Sequence, residues 1–220
     1  MGSARDPSML ILGRKQPSCR QARWQGTSEV NDVTLPLTNY PTRYWHRLED
    51  GRVQCDVCPR NCHIKEGQAG LCFVRACQGG EVVLTSYGRS SGFCVDPIEK
   101  KPFFHVLPGS RSFSIATAGC NLTCKFCQNY DLAQRRPEEL NSTEITPAEL
   151  VQAAKRNGCL SIAFTYNEPT VFNEWVQDIA LEAHSGGIRG VVISNGYIDQ
   201  IPLSDLCDKI EAYKVDLKAF

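Results

Sequence analysis

The 220-residue chain has no surplus of charge: 24 Lys and Arg stand against 24 Asp and Glu. It therefore lacks the basic footprint that nucleic acid or an acidic membrane surface would select. It also lacks any apolar run long enough to span a bilayer. No secretory h-region is visible, because the apolar run Met9-Leu10-Ile11-Leu12 stops at Gly13. Position six is Asp6, so the myristoylation pattern is not met. These absences point to a cytoplasmic protein with neither nucleic acid nor membrane among its partners. Residues 1–38 are basic, acid-poor and weakly periodic, the composition of a disordered arm. Organelle targeting is the other reading of such an Arg-rich stretch.

Cysteine, by contrast, is plentiful, with twelve residues. Such a count fits either a secreted disulfide framework or intracellular metal sites. The missing signal and the tight clustering of several thiols favour metal. Cys55, Cys58, Cys62 and Cys72 fall in one Gly-containing loop, and four thiolates make a closed shell. A structural zinc and an accessory iron-sulfur cluster both fit that set. Cys120, Cys124 and Cys127 form a different group at spacing C-x3-C-x2-C, one ligand short of a closed site. Thiolates are soft ligands for zinc or iron-sulfur clusters, so the fourth position is either remote or left open.

Hydrophobic patterning divides the chain. Residues 39–95 read as a small cysteine-rich β module, with hairpin turns at Asp50-Gly51 and Gly79-Gly80. Residues 96–111 hold three prolines and read as an extended connector. From residue 112 onward strand and helix patterns alternate. Strands are expected at 113–118, 161–166, 190–195 and 213–218. A helix is expected after Thr146, where Pro147 and Glu149 complete a capping box, and another at 170–184. The fold class is α/β, a parallel βα array. In such an array functional residues sit at the C-terminal ends of the strands, and Cys120, Cys124 and Cys127 directly follow the first.

The segment Cys120-Asn121-Leu122-Thr123-Cys124-Lys125-Phe126-Cys127 resembles the cysteine signature of the radical S-adenosylmethionine (SAM) enzymes. The resemblance implies a [4Fe-4S] cluster on the three thiolates, its fourth iron left for SAM, with Phe126 near the adenine. It implies one-electron cleavage of SAM to a 5′-deoxyadenosyl radical, an electron donor, and a substrate that is a protein or a small molecule. Thr165-Tyr166-Asn167-Glu168-Pro169 is similar to the family's glycine-glycine-glutamate-proline motif, with Tyr166-Asn167 in place of the glycines. Asn167 and Glu168 are then expected at the methionine amino group; Glu168 also reads as a carboxylate on a helix N-terminus. Ser194 and Asn195 resemble the segment near the ribose, although Asn195-Gly196 is also an ordinary turn pair. Asp216 and Lys218 resemble the Asp-Leu-Lys segment of glycyl-radical activases, near the SAM carboxylate.

With the upstream segments Cys55–Arg75 and Asp96–Gly109, the match over about residues 40–220 resembles the radical-SAM member of the AmmeMemoRadiSam system, itself similar to pyruvate formate-lyase activating enzyme. It implies a partial (βα) barrel over residues 112–220, because four strand candidates stand where the family has six βα units. A shortened barrel would bind SAM weakly and couple its cleavage poorly to substrate. No catalytic side chain is assigned. The rival reading is a non-catalytic zinc or iron-sulfur binding interaction module.

Overall fold

The structure, a computed structural model, describes residues 37–218; residues 1–36 of the expected arm lie outside the described residues. Seven short strands come first: β1 (Tyr40–Pro41), β2 (Trp45–Arg47), β3 (Val53–Cys55), β4 (His63–Ile64), β5 (Arg75–Gln78), β6 (Glu81–Leu84) and β7 (Arg89–Ser90). The first six form antiparallel sheets in the orders β2-β3-β4 and β1-β6-β5, and β7 pairs with the later strand Thr143–Glu144. The hairpin turns fall at the glycines, with φ of 81° at Gly51, 62° at Gly79 and 72° at Gly80, a region that side chains disfavour.

The remaining elements alternate. They are β8 (Gly92–Pro97), β9 (Arg111–Ala116), α1 (Tyr130–Ala133), β10 (Thr143–Glu144), α2 (Pro147–Arg156), β11 (Ser161–Phe164), α3 (Asn173–Ser185), β12 (Arg189–Ser194), α4 (Gln200–Cys207) and β13 (Ala212–Val215). The principal sheet has five strands in the order β13-β12-β11-β9-β8. The four from β9 to β13 in that sheet are parallel, and β8 is antiparallel on its edge. This is an α/β region with a mixed sheet, open at β8 and β13.

Here the structure departs from the expected boundary at residues 95 and 96. Gly92–Pro97 is one continuous strand, paired residue by residue with Arg111–Ala116. The Pro-rich segment after it does not simply connect. Ile98 and Phe103 pack against Ala163 and Val191, covering the sheet face opposite the helices. The expected helix at 170–184 also begins differently: Pro169–Phe172 forms a 3-10 turn, and α3 starts at Asn173. The α2 cap matches expectation. Thr146 Oγ1 accepts from the Glu149 N–H, and the Glu149 carboxylate accepts from the Thr146 N–H at 2.9 Å.

Burial on both faces explains the apolar strands. Phe113, Ile115, Ile162, Phe164 and Val192 join Leu150, Val151, Trp175, Val176 and Ile179 in the main core. A smaller core of Tyr44, Val53, Val57, Ile64 and Val82 lies among the N-terminal sheets. Polar contacts tie those sheets to α3 and α4. Arg75 forms a buried ion pair with Glu174 and donates from Nε to the Val171 carbonyl at 3.0 Å. The Tyr40 and Tyr87 hydroxyls both donate to Asp178, and the Tyr44 hydroxyl donates to Asp205. No helix among the described residues is long and apolar enough to cross a membrane.

Arg75 and Glu174 are each about 1% exposed, so removing one partner strands a buried charge. Arg75→Met should lower unfolding free energy by about 3–5 kcal/mol, and adding Glu174→Leu should recover a large part of that loss. Urea denaturation of both variants checks this; a loss below about 1 kcal/mol for the single change would overturn it.

Candidate functional site

The parallel strands β9, β11, β12 and β13 open their C-terminal ends onto one cavity of about 380 Å³. Each loop there is shaped by a specific contact. After β9, Gly119 takes φ of 89°, and a Cβ at that position would stand 2.2 Å from the Cys72 carbonyl oxygen. Only glycine lets the loop lie this close to the N-terminal sheets. The chain then turns along the cavity wall through Cys120, Cys124 and Cys127, and the Cys127 N–H donates to the Cys124 carbonyl at 3.2 Å.

After β11, the Asn167 carboxamide joins two strand ends. Its Nδ2 donates to the carbonyls of Ala118 (3.1 Å) and Gly119 (3.0 Å), and its Oδ1 accepts from the Thr117 N–H at 3.1 Å. The side chain is thus fully occupied by backbone. Glu168 comes next, 3% exposed but on the cavity wall. One carboxylate oxygen accepts from the Thr170 N–H (3.0 Å) and the Ser194 hydroxyl (2.6 Å), and the other accepts from the Asn195 N–H (2.8 Å). Glu168 thus caps the 3-10 turn and faces the cavity at once. Burial pushes its carboxyl upward, and the donors from Asn195, Ser194 and Thr170 only partly oppose that.

Asn195, Asp216 and Lys218 line the same cavity as Glu168. Ser194 lies behind Glu168, accepting from the Gly196 N–H at 3.0 Å so that its own proton is directed to the carboxylate. Asp216 pairs with Lys214 and with Lys218, the latter at 3.1 Å. Phe126 stands on the cavity wall but is 69% exposed, with only part of its ring packed.

The expected cofactors need correction. Cys120, Cys124 and Cys127 share a wall, but among the described residues no group of three or more His, Cys, Asp or Glu side chains is placed to hold a metal ion. Neither the [4Fe-4S] cluster nor the zinc or accessory cluster at Cys55, Cys58, Cys62 and Cys72 fits these side chains as they stand. Cys120 Sγ accepts from the Leu122 N–H at 3.4 Å, and burial pushes its thiol up to about 12. The four upstream thiols surround a second, smaller cavity with Arg75 and Asn121. Burial pushes Cys55 up to about 12 and raises Cys58 and Cys72 as well.

Three contributors escape the sequence reading. Asn121 is 1% exposed and links the two cavities. It donates to the Tyr197 carbonyl (2.7 Å), accepts from Asn195 Nδ2 (2.8 Å), and its own carbonyl accepts from Arg60 Nε (3.2 Å). Tyr166 lines the main cavity with a φ of 74°. Behind it lies Asp96, 4% exposed, bonded to Lys100, Lys101, Ser114 and Tyr166. Burial pushes the Asp96 carboxyl up, but the donors from Lys100, Lys101 and Tyr166 outweigh it and hold the group well below the usual carboxylate range. The sequence signal for this cluster is slight: an Asp with two lysines shortly after it in the Pro-rich segment.

A protein of Methanocaldococcus jannaschii, uncharacterized by its own description, is 41% identical over 175 residues, which are 80% of this chain and 52% of that protein. The chain spans about half the length of this curated relative. The family model for the radical SAM superfamily matches from residue 114, within β9, to residue 219, and so takes in the loops that line the cavity. Residues 114–219 belong to the radical SAM superfamily.

Proposed function

We propose that the cavity binds S-adenosylmethionine and that the chain acts in radical-SAM chemistry, on a sheet that forms part of a βα barrel. The observation that carries this reading is the pairing of opposite charges on one wall. Glu168 presents a buried carboxylate, and Lys218 presents an ammonium to the same cavity. A ligand end that carries both an amine and a carboxylate, as methionine does, is complementary to that pair. Three donors fix the Glu168 oxygens, so little ordering is needed when an ammonium arrives.

The reaction is one-electron cleavage of the sulfonium. One electron enters, one C–S bond breaks, and methionine and a 5′-deoxyadenosyl radical result. The electron comes from a separate low-potential redox partner, since the described residues place no metal-holding group of their own, and the radical takes a hydrogen atom from the substrate. Glu168, Asn195 and Lys218 orient the cofactor molecule, and the loop from Cys120 to Asn129 shields it from water. Similarity of the Asp216-Leu217-Lys218 segment to glycyl-radical activases favours hydrogen abstraction from a protein backbone as the specific form.

Two measurements test the reading. Calorimetric titration with SAM should show binding that weakens as pH falls, because protonating Glu168 removes the charge that attracts the amine. The weakening should set in above the ordinary glutamate range, scanned from about pH 8 down to about pH 5. Glu168→Gln should bind at least about ten-fold more weakly and lose that pH dependence. Undetectable binding by the native chain, or an unaltered pH profile in the variant, would overturn the assignment. Separately, anaerobic incubation with SAM and dithionite should release 5′-deoxyadenosine; its absence from a SAM-bound chain would limit the function to binding.

A further inference from the structure

We infer that Tyr166 is a positioning residue: its phenol, anchored on the buried Asp96–Lys101 pair, locks the turn that carries Asn167 and Glu168 in a left-handed conformation. The inference rests on the proposed reading for its binding assay, but its structural half stands apart. Three observations meet here. Tyr166 has φ of 74°, a region disfavoured for a residue with a large side chain. Its hydroxyl donates to Asp96 Oδ2 at 2.8 Å and accepts from Lys101 Nζ at 3.2 Å, while that same Nζ lies 4.4 Å from the ring centroid. Asp96 and Lys101 are each 4% exposed and 2.7 Å apart.

These contacts explain why a strained residue persists. An uncommon backbone conformation survives only where its surroundings over-determine it. Asp96 is fixed from β8, Lys101 from the segment packed on the sheet, and Ser114 adds a further bond to Asp96 from β9 at 3.2 Å. The anchor is therefore independent of the turn it holds. The next two residues depend on Tyr166 directly. Asn167 bridges to the Thr117 N–H, and Glu168 accepts from Thr170 and Asn195. If the turn relaxed, both side chains would leave their partners together.

The test compares Tyr166→Gly with Tyr166→Ala. Both remove the ring and the anchor, so their difference reads the strain at φ near 74° that the native contacts must offset. Tyr166→Ala should bind SAM about ten-fold more weakly than Tyr166→Gly, the size of a left-handed penalty on one residue. Hydrogen exchange at the Thr117, Thr170 and Asn195 amides should be correspondingly faster in the alanine variant. This readout needs no ligand. Equal exchange and equal binding in the two variants would overturn the inference while leaving SAM binding intact. Differing exchange with no SAM binding by the native chain would overturn the functional reading and leave this one standing. Tyr166→Phe keeps the ring and loses only the hydroxyl, so it tests the anchor itself. Faster exchange at the same amides supports the anchor, and unchanged exchange refutes it.

Discussion

The carboxamide of Asn167 has no group left for solvent. Its three hydrogen bonds run to Thr117, Ala118 and Gly119, so the loop leaving β9 and the loop leaving β11 are held as one piece. That bridge sets the spacing between the Cys120 loop and the Glu168 carboxylate, which further contacts then hold in place. Buried backbone donors and acceptors need partners wherever the strands end. A glycine pair at 166 and 167 could offer only its own backbone. An asparagine offers both a donor and an acceptor on a short arm, and in this chain it supplies the closure that regular secondary structure no longer provides.

A second layer of contacts comes from outside the α/β region. Arg75, Arg60 and the Cys72 carbonyl all reach from the N-terminal sheets to residues at or behind the cavity. The sheets themselves are short, and their own core holds few large apolar side chains. Their stability derives in large part from docking on α3 and α4 through Arg75, Tyr40 and Tyr44. The traffic runs both ways: Asn121, in the cavity loop, is held by Arg60 and in turn fixes Asn195.

Local chemistry makes much of this readable from the residues alone. Thr146, Pro147 and Glu149 announce the start of α2, and the glycines at 51, 79 and 80 announce the turns, because capping and left-handed φ are decided within a few residues. Placement of Glu168, Asn195, Asp216 and Lys218 on one wall follows from strand order in a parallel sheet. Long-range pairing is not readable in the same way. β8 stays hidden because a strand next to prolines looks like a connector until β9 is known to lie beside it. Asp96 and Lys101 acquire meaning only when Tyr166, 70 residues from Asp96, arrives between them. Cysteine spacing says which thiols share a loop, and for Cys120, Cys124 and Cys127 it does not bring the sulfur atoms to a common point.

The close approach of Gly119 to Cys72 bears on how the chain reaches its native state. Contacts between residues far apart in sequence carry a loop-closure cost that must be met before they stabilise anything. The pairings 72 to 119, 60 to 121 and 75 to 174 all span the N-terminal sheets and the βα region. Such topology slows folding relative to local pairing. The cavity wall thus becomes complete only once both halves of the chain have found each other.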